Sequence, residues 1–452
     1  METSSVRSSS QKNQNFLSLF LYYCSAFFPL LILILLPFNW FAYPYFNYPY
    51  KPLQRIPFSP LLAIIVIWFM FWGIQKFITR GWKEAVNPLQ TQILLLFAVF
   101  ILSAFWQHEP LKMITPHILP WAVYILIFLM ISEQAKNKTM RKLLTAVILF
   151  SGLIAAFGGI HDFIHYLSLH KGWFYRARYS FESPNLLADY LLLILPIPWL
   201  NFIFLKKTWA KWLWYILLIP FLTTFVMTLS RGAWIGFFAA FIFLVIQIKK
   251  EKKLLFAPLL PFLAAAVGIV LFLPKEALHR ALILPFHEGF DAKLHIAVWE
   301  SALKMIFHHP FLGIGFGNFT SIYPKYAVQG IGFHYLFMPS ASNLYLQIGS
   351  ENGLIGLGIF LWLIWSAAKI SAQILKNTPS PEERILALAL PAAFIGFLVH
   401  GFFDYTWWYL KVGILSWILA GISIGLYDQT GREIITSNSL QPNKSEEKPQ
   451  SE

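Results

Sequence analysis

The sequence predicts an all-α polytopic membrane protein: about twelve transmembrane helices, with one long extracytoplasmic loop that carries an amphipathic helix. Three observations lead there. Hydrophobic residues make up 57% of the 452 and charged residues 12%, against roughly 25% charged in soluble domains. The apolar residues gather in runs of about 20, the length a helix needs to cross the hydrocarbon core of a bilayer. Lys and Arg collect between alternate runs. A soluble globule could not cover so much apolar surface with so few charges, and disorder outside the tails is excluded for the same reason. Cys24 is the one cysteine, so an internal disulfide and a cysteine-ligated metal site are both excluded.

Taken in order, a polar leader (1–15) precedes a first run at about 16–37. That run is longer than a signal-peptide core and reads as a retained anchor. Runs follow at about 58–79, 89–106, 117–132, 143–161, 186–205, 211–228, 232–248 and 254–273. The run 186–205 contains Pro196 and Pro198 and is expected to kink, because each ring removes a helical N–H. Residues 274–340 form the long loop, and the last three runs lie at about 341–364, 385–404 and 408–427. The polar tail 428–452 is expected to be disordered. A cytoplasmic N-terminus puts clusters such as Lys136, Lys138, Arg141 and Lys142, or Lys249, Lys250, Lys252 and Lys253, on the inside. The short outer loops hold few cations, among them Lys171, Arg176, Arg178, Arg231 and Lys411. Both termini are therefore expected in the cytoplasm, and the net charge of +14 is topological. It calls for no nucleic-acid partner.

Chemistry should then reside in outer loops and in polar groups at membrane depth. Arg231 lies in the very short connection Leu229–Trp234 between two runs. It can be an interfacial arginine that snorkels, but its guanidinium, held close to two helix ends, also suits a bidentate phosphate or pyrophosphate. Arg176 and Arg178 precede a segment that enters a span, and Asp189 falls early in that span. An arginine is the expected partner of Asp189. Asp404 lies similarly at the outer end of its run. Residues 291–308 have the apolar spacing of a helix that lies on the membrane or caps a cavity. Gly313, Gly315 and Gly317 follow, either as a turn whose N–H groups approach an anion or as a loop that merely needs positive φ. His161 and His165 share a helix face by their i,i+4 spacing, a weak metal signal.

Several segments resemble, in order, the O-antigen ligase and polymerase family of integral membrane glycosyltransferases. Ser180–Tyr190 (SFESPNLLADY) is similar to its Pro-Asn-x-x-Ala segment, and Leu229–Gly236 (LSRGAWIG) to its Ser-Arg-Gly motif. Val298–Phe319 is similar to its Trp-x-x-Ala-x-x-Met…Pro-x-x-Gly-x-Gly-x-x-Asn-Phe stretch. Ser342–Gly358 (SNLYLQIGSENGLIGLG) is similar to its His-Asn-x-Tyr-Leu…Glu-x-Gly-x-x-Gly segment, and Phe397–Tyr405 to its penultimate polar patch. The resemblance covers roughly residues 150–410.

The resemblance implies transfer of a glycan from an undecaprenyl-diphosphate carrier to lipid A–core or a growing polysaccharide. The setting would be the outer face of the bacterial inner membrane, with the long loop periplasmic, membrane lipids as surroundings, and no nucleotide sugar, metal or other cofactor. A protein acceptor is the lesser expectation, since the chain ends soon after its last run. Arg231 would bind the diphosphate, with Arg280, Arg178 or Arg176 as further cations, and Asn343, Tyr345 and Glu351 would shape the site. The chain departs from the family twice. Ser342 stands where ligases commonly carry His, and His295 where many members carry Arg. Serine cannot serve as a base at neutral pH, so His334 is the first candidate for that role and His295 the second. The departure also leaves open a transporter of a small anion such as inorganic carbon, or a member without catalysis.

Overall fold

The computed structural model describes residues 2–38, 60–79, 87–106, 111–169, 175–248, 252–272, 290–328, 338, 340–377 and 380–439. Every regular element among them is a helix: α1 (Glu2–Leu35), α2 (Pro60–Thr79), α3 (Gln90–Trp106), α4 (Leu111–Gln134), α5 (Lys138–Leu169), α6 (Pro184–Ile194), α7 (Pro196–Phe204), α8 (Thr208–Met227), α9 (Arg231–Gln247), α10 (Lys252–Leu255), α11 (Leu259–Phe272), α12 (Phe290–His308), α13 (Phe319–Tyr326), α14 (Leu344–Asn377), α15 (Pro381–His400) and α16 (Leu410–Ser439). Eight segments are long and apolar enough to cross a membrane, in α1, α4, α5, α6–α7, α8, α14, α15 and α16. Four shorter apolar helices, Ala63–Thr79, Gln90–Trp106, Arg231–Gln247 and Leu259–Leu271, accompany them. Every apolar run of the sequence coincides with one of these segments. Length and composition alone support the eight, because a helix of 17 residues reaches only about 25 Å.

The α6–α7 pair is the axis of the bundle, with 94% of its apolar window buried. It is one crossing in two pieces, as its prolines require. The two pieces join at Leu195, where α6 ends and Pro196 starts α7, and Leu195 itself keeps helical angles (φ −47°, ψ −40°). Helix α15 packs against this axis and against α9, α4 packs on α16, α3 on α14, and α1 on α2 and α5. The α9–α15 contact is close because glycines face each other. A Cβ built on Gly236 would lie 2.4 Å from the carbonyl oxygen of Gly396.

Helix α14 is broken at Gly353, whose φ of 66° and ψ of −171° are not helical. The break frees carbonyls and an N–H that must find partners away from water. The glycine loop supplies them. Ile314 N–H donates to Ser350 O (2.9 Å), Gly315 N–H donates to Glu351 O (3.1 Å), and Leu354 N–H donates to Pro310 O (2.7 Å). The Ser103 hydroxyl reaches Glu351 O (2.6 Å) and Leu312 O (2.8 Å) from α3. Gly313, Gly315 and Gly317 all have positive φ, and a Cβ on Gly353 would meet Phe311 O at 2.1 Å. Only glycine satisfies both the angle and the contact there.

The long loop holds the expected helix, α12, and also the short α13. At the other end, α16 continues through Ser439, past the expected start of a disordered tail at 428. Its first turns beyond the apolar run are anchored by Asp428 to Lys136 (2.9 Å) and by Gln429 to Arg141. Residues 440–452 lie outside the described residues.

Candidate functional site

The N-terminal ends of α6 and α9 and the C-terminal end of α15 meet in one polar cluster. Its centre is the buried pair of Asp189 on α6 and His400 on α15, with His400 Nδ1 2.7 Å from Asp189 Oδ1. Both side chains are essentially without solvent exposure. The Thr406 hydroxyl donates to the other carboxylate oxygen. The expected arginine partner of Asp189 is thus replaced by an imidazole and a hydroxyl. The reason is packing: α15 lies directly on α6 and brings His400 to the depth of Asp189.

The second ring nitrogen of His400 faces the α8–α9 connection. Ser230 Oγ lies 3.5 Å from Nε2. Ser230 occupies the N-cap position of α9, yet its side chain makes no capping bond. Gly232 presses on the same group, since a Cβ there would come within 2.7 Å of Phe403 Cβ and 2.8 Å of His400 Cδ2. Leu229 takes a positive φ of 50° to make the turn. Each residue of the Ser-Arg-Gly turn therefore has a distinct position. Ser230 turns inward to the imidazole, Gly232 permits contact, and Arg231 is exposed on the first residue of α9.

Arg176 extends the cluster. Its Nε donates to Thr228 O (2.8 Å) and a terminal nitrogen to Asn185 Oδ1 (2.7 Å). Asn185 in turn donates to Asp404 Oδ2 (2.5 Å). The segment leading into α6 is held by Ala177 N–H to Met227 O (2.9 Å), and Ser183 caps α6 through Leu186 N–H. Lys411, buried at the start of α16, donates to Ser180 O (2.6 Å) and Oγ (2.8 Å) and lies over the Phe181 ring. Arg178 is exposed on the flank where Asp162 accepts from Tyr179 N–H (2.9 Å) and the Tyr175 hydroxyl. Burial, then Asp162, pushes the Tyr175 phenol up to about 12. Burial, with Asp404 and Glu182 nearby, pushes Tyr409 up to about 12 as well, and burial raises Tyr405 further. These phenols are protonated at neutral pH and can donate but not accept a proton.

Asn343 and Tyr345 touch this region from behind. Asn343 Oδ1 caps α14 by accepting from Tyr345 and Leu346 N–H (both 3.0 Å), while its amide donates to Phe402 O (2.9 Å). The Tyr345 hydroxyl donates to Leu398 O (2.9 Å), and its ring packs on Phe402. Together with Leu344 N–H to Gly401 O (2.7 Å), these bonds hold the turn that carries His400. Ser342 adjoins them in a left-handed conformation, φ 48°.

Glu351 lies deeper, buried under the glycine loop. Its carboxylate accepts from Phe319 N–H (3.2 Å), with Gly317 N–H and Gln347 also bonded to it. The two readings of the three glycines merge here. They need positive φ, and loop N–H groups do turn toward an acceptor, but that acceptor is the carboxyl group of the chain's own Glu351. His295 lies on α12 with its ring against Trp299. Arg280 and His334 lie outside the described residues. His161 and His165 stack 5.8 Å apart on α5. Among the described residues, no three His, Cys, Asp or Glu side chains group to hold a metal.

Sequence reasoning did not single out His400 or Ser230. The available signal was two ionisable residues, Asp189 and His400, each within an apolar run at its outer end.

Comparison with known proteins bears on this end of the molecule. The chain is 25% identical over 266 residues to a ComP-specific O-oligosaccharyltransferase of Acinetobacter baylyi (strain ATCC 33305 / BD413 / ADP1), a match over 57% of this chain and 45% of that protein. The chain thus spans less than half the length of this curated relative. The profile of the O-antigen ligase family matches residues 215–361, from α8 through the Ser-Arg-Gly turn and the glycine loop to the broken helix α14. Over those residues the chain is similar to the O-antigen ligase family, the family its motifs resemble.

Proposed function

We propose that the protein transfers a glycan from an undecaprenyl-diphosphate carrier to lipid A–core or to a growing polysaccharide. In this reading the chain crosses the bacterial inner membrane twelve times, both termini are cytoplasmic, and residues 274–340 are periplasmic. The observation that carries it is the Ser-Arg-Gly turn. Ser230 and Gly232 are locked against His400, which leaves Arg231 exposed at the positive end of the α9 dipole.

In the reaction, the bond between the anomeric carbon and the diphosphate oxygen breaks as an acceptor hydroxyl attacks. Negative charge grows on the leaving diphosphate. A fixed guanidinium there stabilises the transition state more than the ground state. Arg231 has this role, with Arg280, Arg178 and Arg176 as further cations. The acceptor proton needs a base. His334 and His295 are the imidazoles proposed for it, and Asp404, whose carboxylate is half-buried at the same end, is a third group able to take it. The Asp189–His400 pair holds the turn, and Asn343, Tyr345 and Glu351 hold the elements around it.

The test mixes purified protein with an undecaprenyl-diphosphate glycan and a panel of lipid A–core, polysaccharide and protein acceptors. Transfer is expected, falling by at least about 100-fold in Arg231→Ala. Full transfer by that variant would overturn the assignment of Arg231. Flux of a small anion through proteoliposomes without any lipid-linked sugar would overturn the assignment of the activity.

A further inference from the structure

Helix α12 shows three faces. One is packed: Val298, Ala302 and Met305 are fully buried in a small core with Ile314, Phe319 and Tyr323. A second is charged. Lys293, Glu300 and Lys304 are exposed along it, and Glu300 and Lys304 pair at 2.9 Å. The third is apolar and exposed: Ile296 is 61%, Leu303 43% and Phe307 78% accessible, followed in the glycine loop by Phe311 at 73%. At 100° per residue, Ile296, Leu303 and Phe307 fall within an arc of about 40°, and the charged strip lies beside it, centred roughly 60° away. An exposed apolar stripe flanked by cations is the pattern of a helix that rests in a membrane interface, and it is out of place in water.

The surroundings of the stripe say what covers it. Leu354 N–H binds Pro310 O at 2.7 Å, which fastens the end of α12 and Phe311 to the start of the straight part of α14. There, Leu354 and Ile355 are exposed, and Leu361, Trp362 and Trp365 continue the exposed apolar surface along the same helix, which is one of the segments able to cross a membrane. The stripe of α12 thus runs onto the exposed apolar surface of a helix able to cross a membrane. The glycine loop begins beside the break at Gly353.

We propose that α12 is an interfacial anchor. Ile296, Leu303, Phe307 and Phe311 are immersed in the acyl chains of the leaflet at this end of α14. Lys293 and Lys304 stand at the lipid phosphates. The anchor fixes the glycine loop at the level of the headgroups. This inference does not depend on glycan transfer.

The experiment replaces Cys24 by serine and introduces single cysteines at 296, 303 and 307, at 300 and 304, and at 355 as a lipid reference. Each full-length variant carries a nitroxide spin label in vesicles of phosphatidylethanolamine and phosphatidylglycerol. Collision with oxygen, which concentrates in lipid, is compared with collision with a water-soluble nickel chelate. The oxygen-to-nickel ratio is expected to be at least about fivefold higher at 303 and 307 than at 300 and 304, and close to that at 355. Equal nickel access at all α12 positions overturns the proposal. Protection of 303 and 307 from both reagents also overturns it, because a protein surface or a second copy would then cover the stripe. A second measurement uses the unaltered chain in vesicles that contain a phosphatidylethanolamine with a photoactivatable acyl chain. Adducts are expected on the peptide bearing Phe307 and Phe311, and their absence overturns the anchor independently of any substitution.

Discussion

Two polar clusters mark the two ends of α15, and they are built for different ends. Glu383 and His400 lie seventeen residues apart on that helix, about 25 Å. At the Glu383 end, Arg141 is buried and donates to Ala135 O (2.6 Å), Lys136 O (3.2 Å), Glu383 (2.9 Å) and Gln429. That guanidinium ties α5, α15 and α16 together. At the His400 end, the buried imidazole is again matched, by Asp189, but the groups around it reach the surface. Arg176 and Asp404 are half-buried and Arg231 is exposed. The same physics, pairing of polar groups away from water, yields a clamp at one end and a partly exposed cationic edge at the other.

Substitutions can break this contrast. The largest effect is expected for Arg141→Ala, which leaves Glu383 buried without its partner. Stability should fall by about 3–5 kcal/mol, read from unfolding in detergent, while transfer per folded molecule is unchanged. A parental unfolding curve would mean that Glu383 finds another cation. Next comes Arg231→Ala, where the barrier to transfer should rise by about 2.7–4 kcal/mol and stability should change by no more than about 0.5 kcal/mol. If stability fell as much as in Arg141→Ala, the two ends would not differ in kind.

Ser230→Ala should act in between. It removes the partner of His400 Nε2 and loosens the turn, costing about 1 kcal/mol, or roughly fivefold in transfer. An activity loss there that persists undiminished in the Arg231→Ala background would show that Ser230 does not act through Arg231. The smallest effect is expected for Glu382→Gln, beside Arg141's partner on the same helix. Its ion pair with Lys142 (2.8 Å) has both side chains more than half exposed, so unfolding should shift by under about 0.5 kcal/mol. A larger shift would extend the clamp to the surface.

Much of the scaffold was legible in the sequence. Pro196 and Pro198 marked the division between α6 and α7 because the missing N–H is a covalent property. The apolar spacing of 291–308 marked α12 because helical periodicity is local. The short connection at Arg231 marked the turn. The partner of Asp189 was not legible. His400 lies 211 residues away, and nothing local distinguishes it from an arginine as a partner. Glu351 was read as a group that shapes a substrate site because its motif is familiar. What the motif could not show is that the Glu351 carboxyl group holds loop N–H groups, a contact made where α14 breaks at Gly353 and the loop fills the gap.

By itself, then, the sequence determined the membrane class, the order of the helices and the residue types in each connection, since hydropathy, proline geometry and turn length all act within a few residues. The tertiary structure alone decided which buried polar group met which partner, and which cations lie at the exposed edge. The physical reason is desolvation: a buried ionisable group must be matched by whatever neighbour packing brings within about 3 Å, and that neighbour is set by how α6, α9 and α15 cross, which no local pattern encodes.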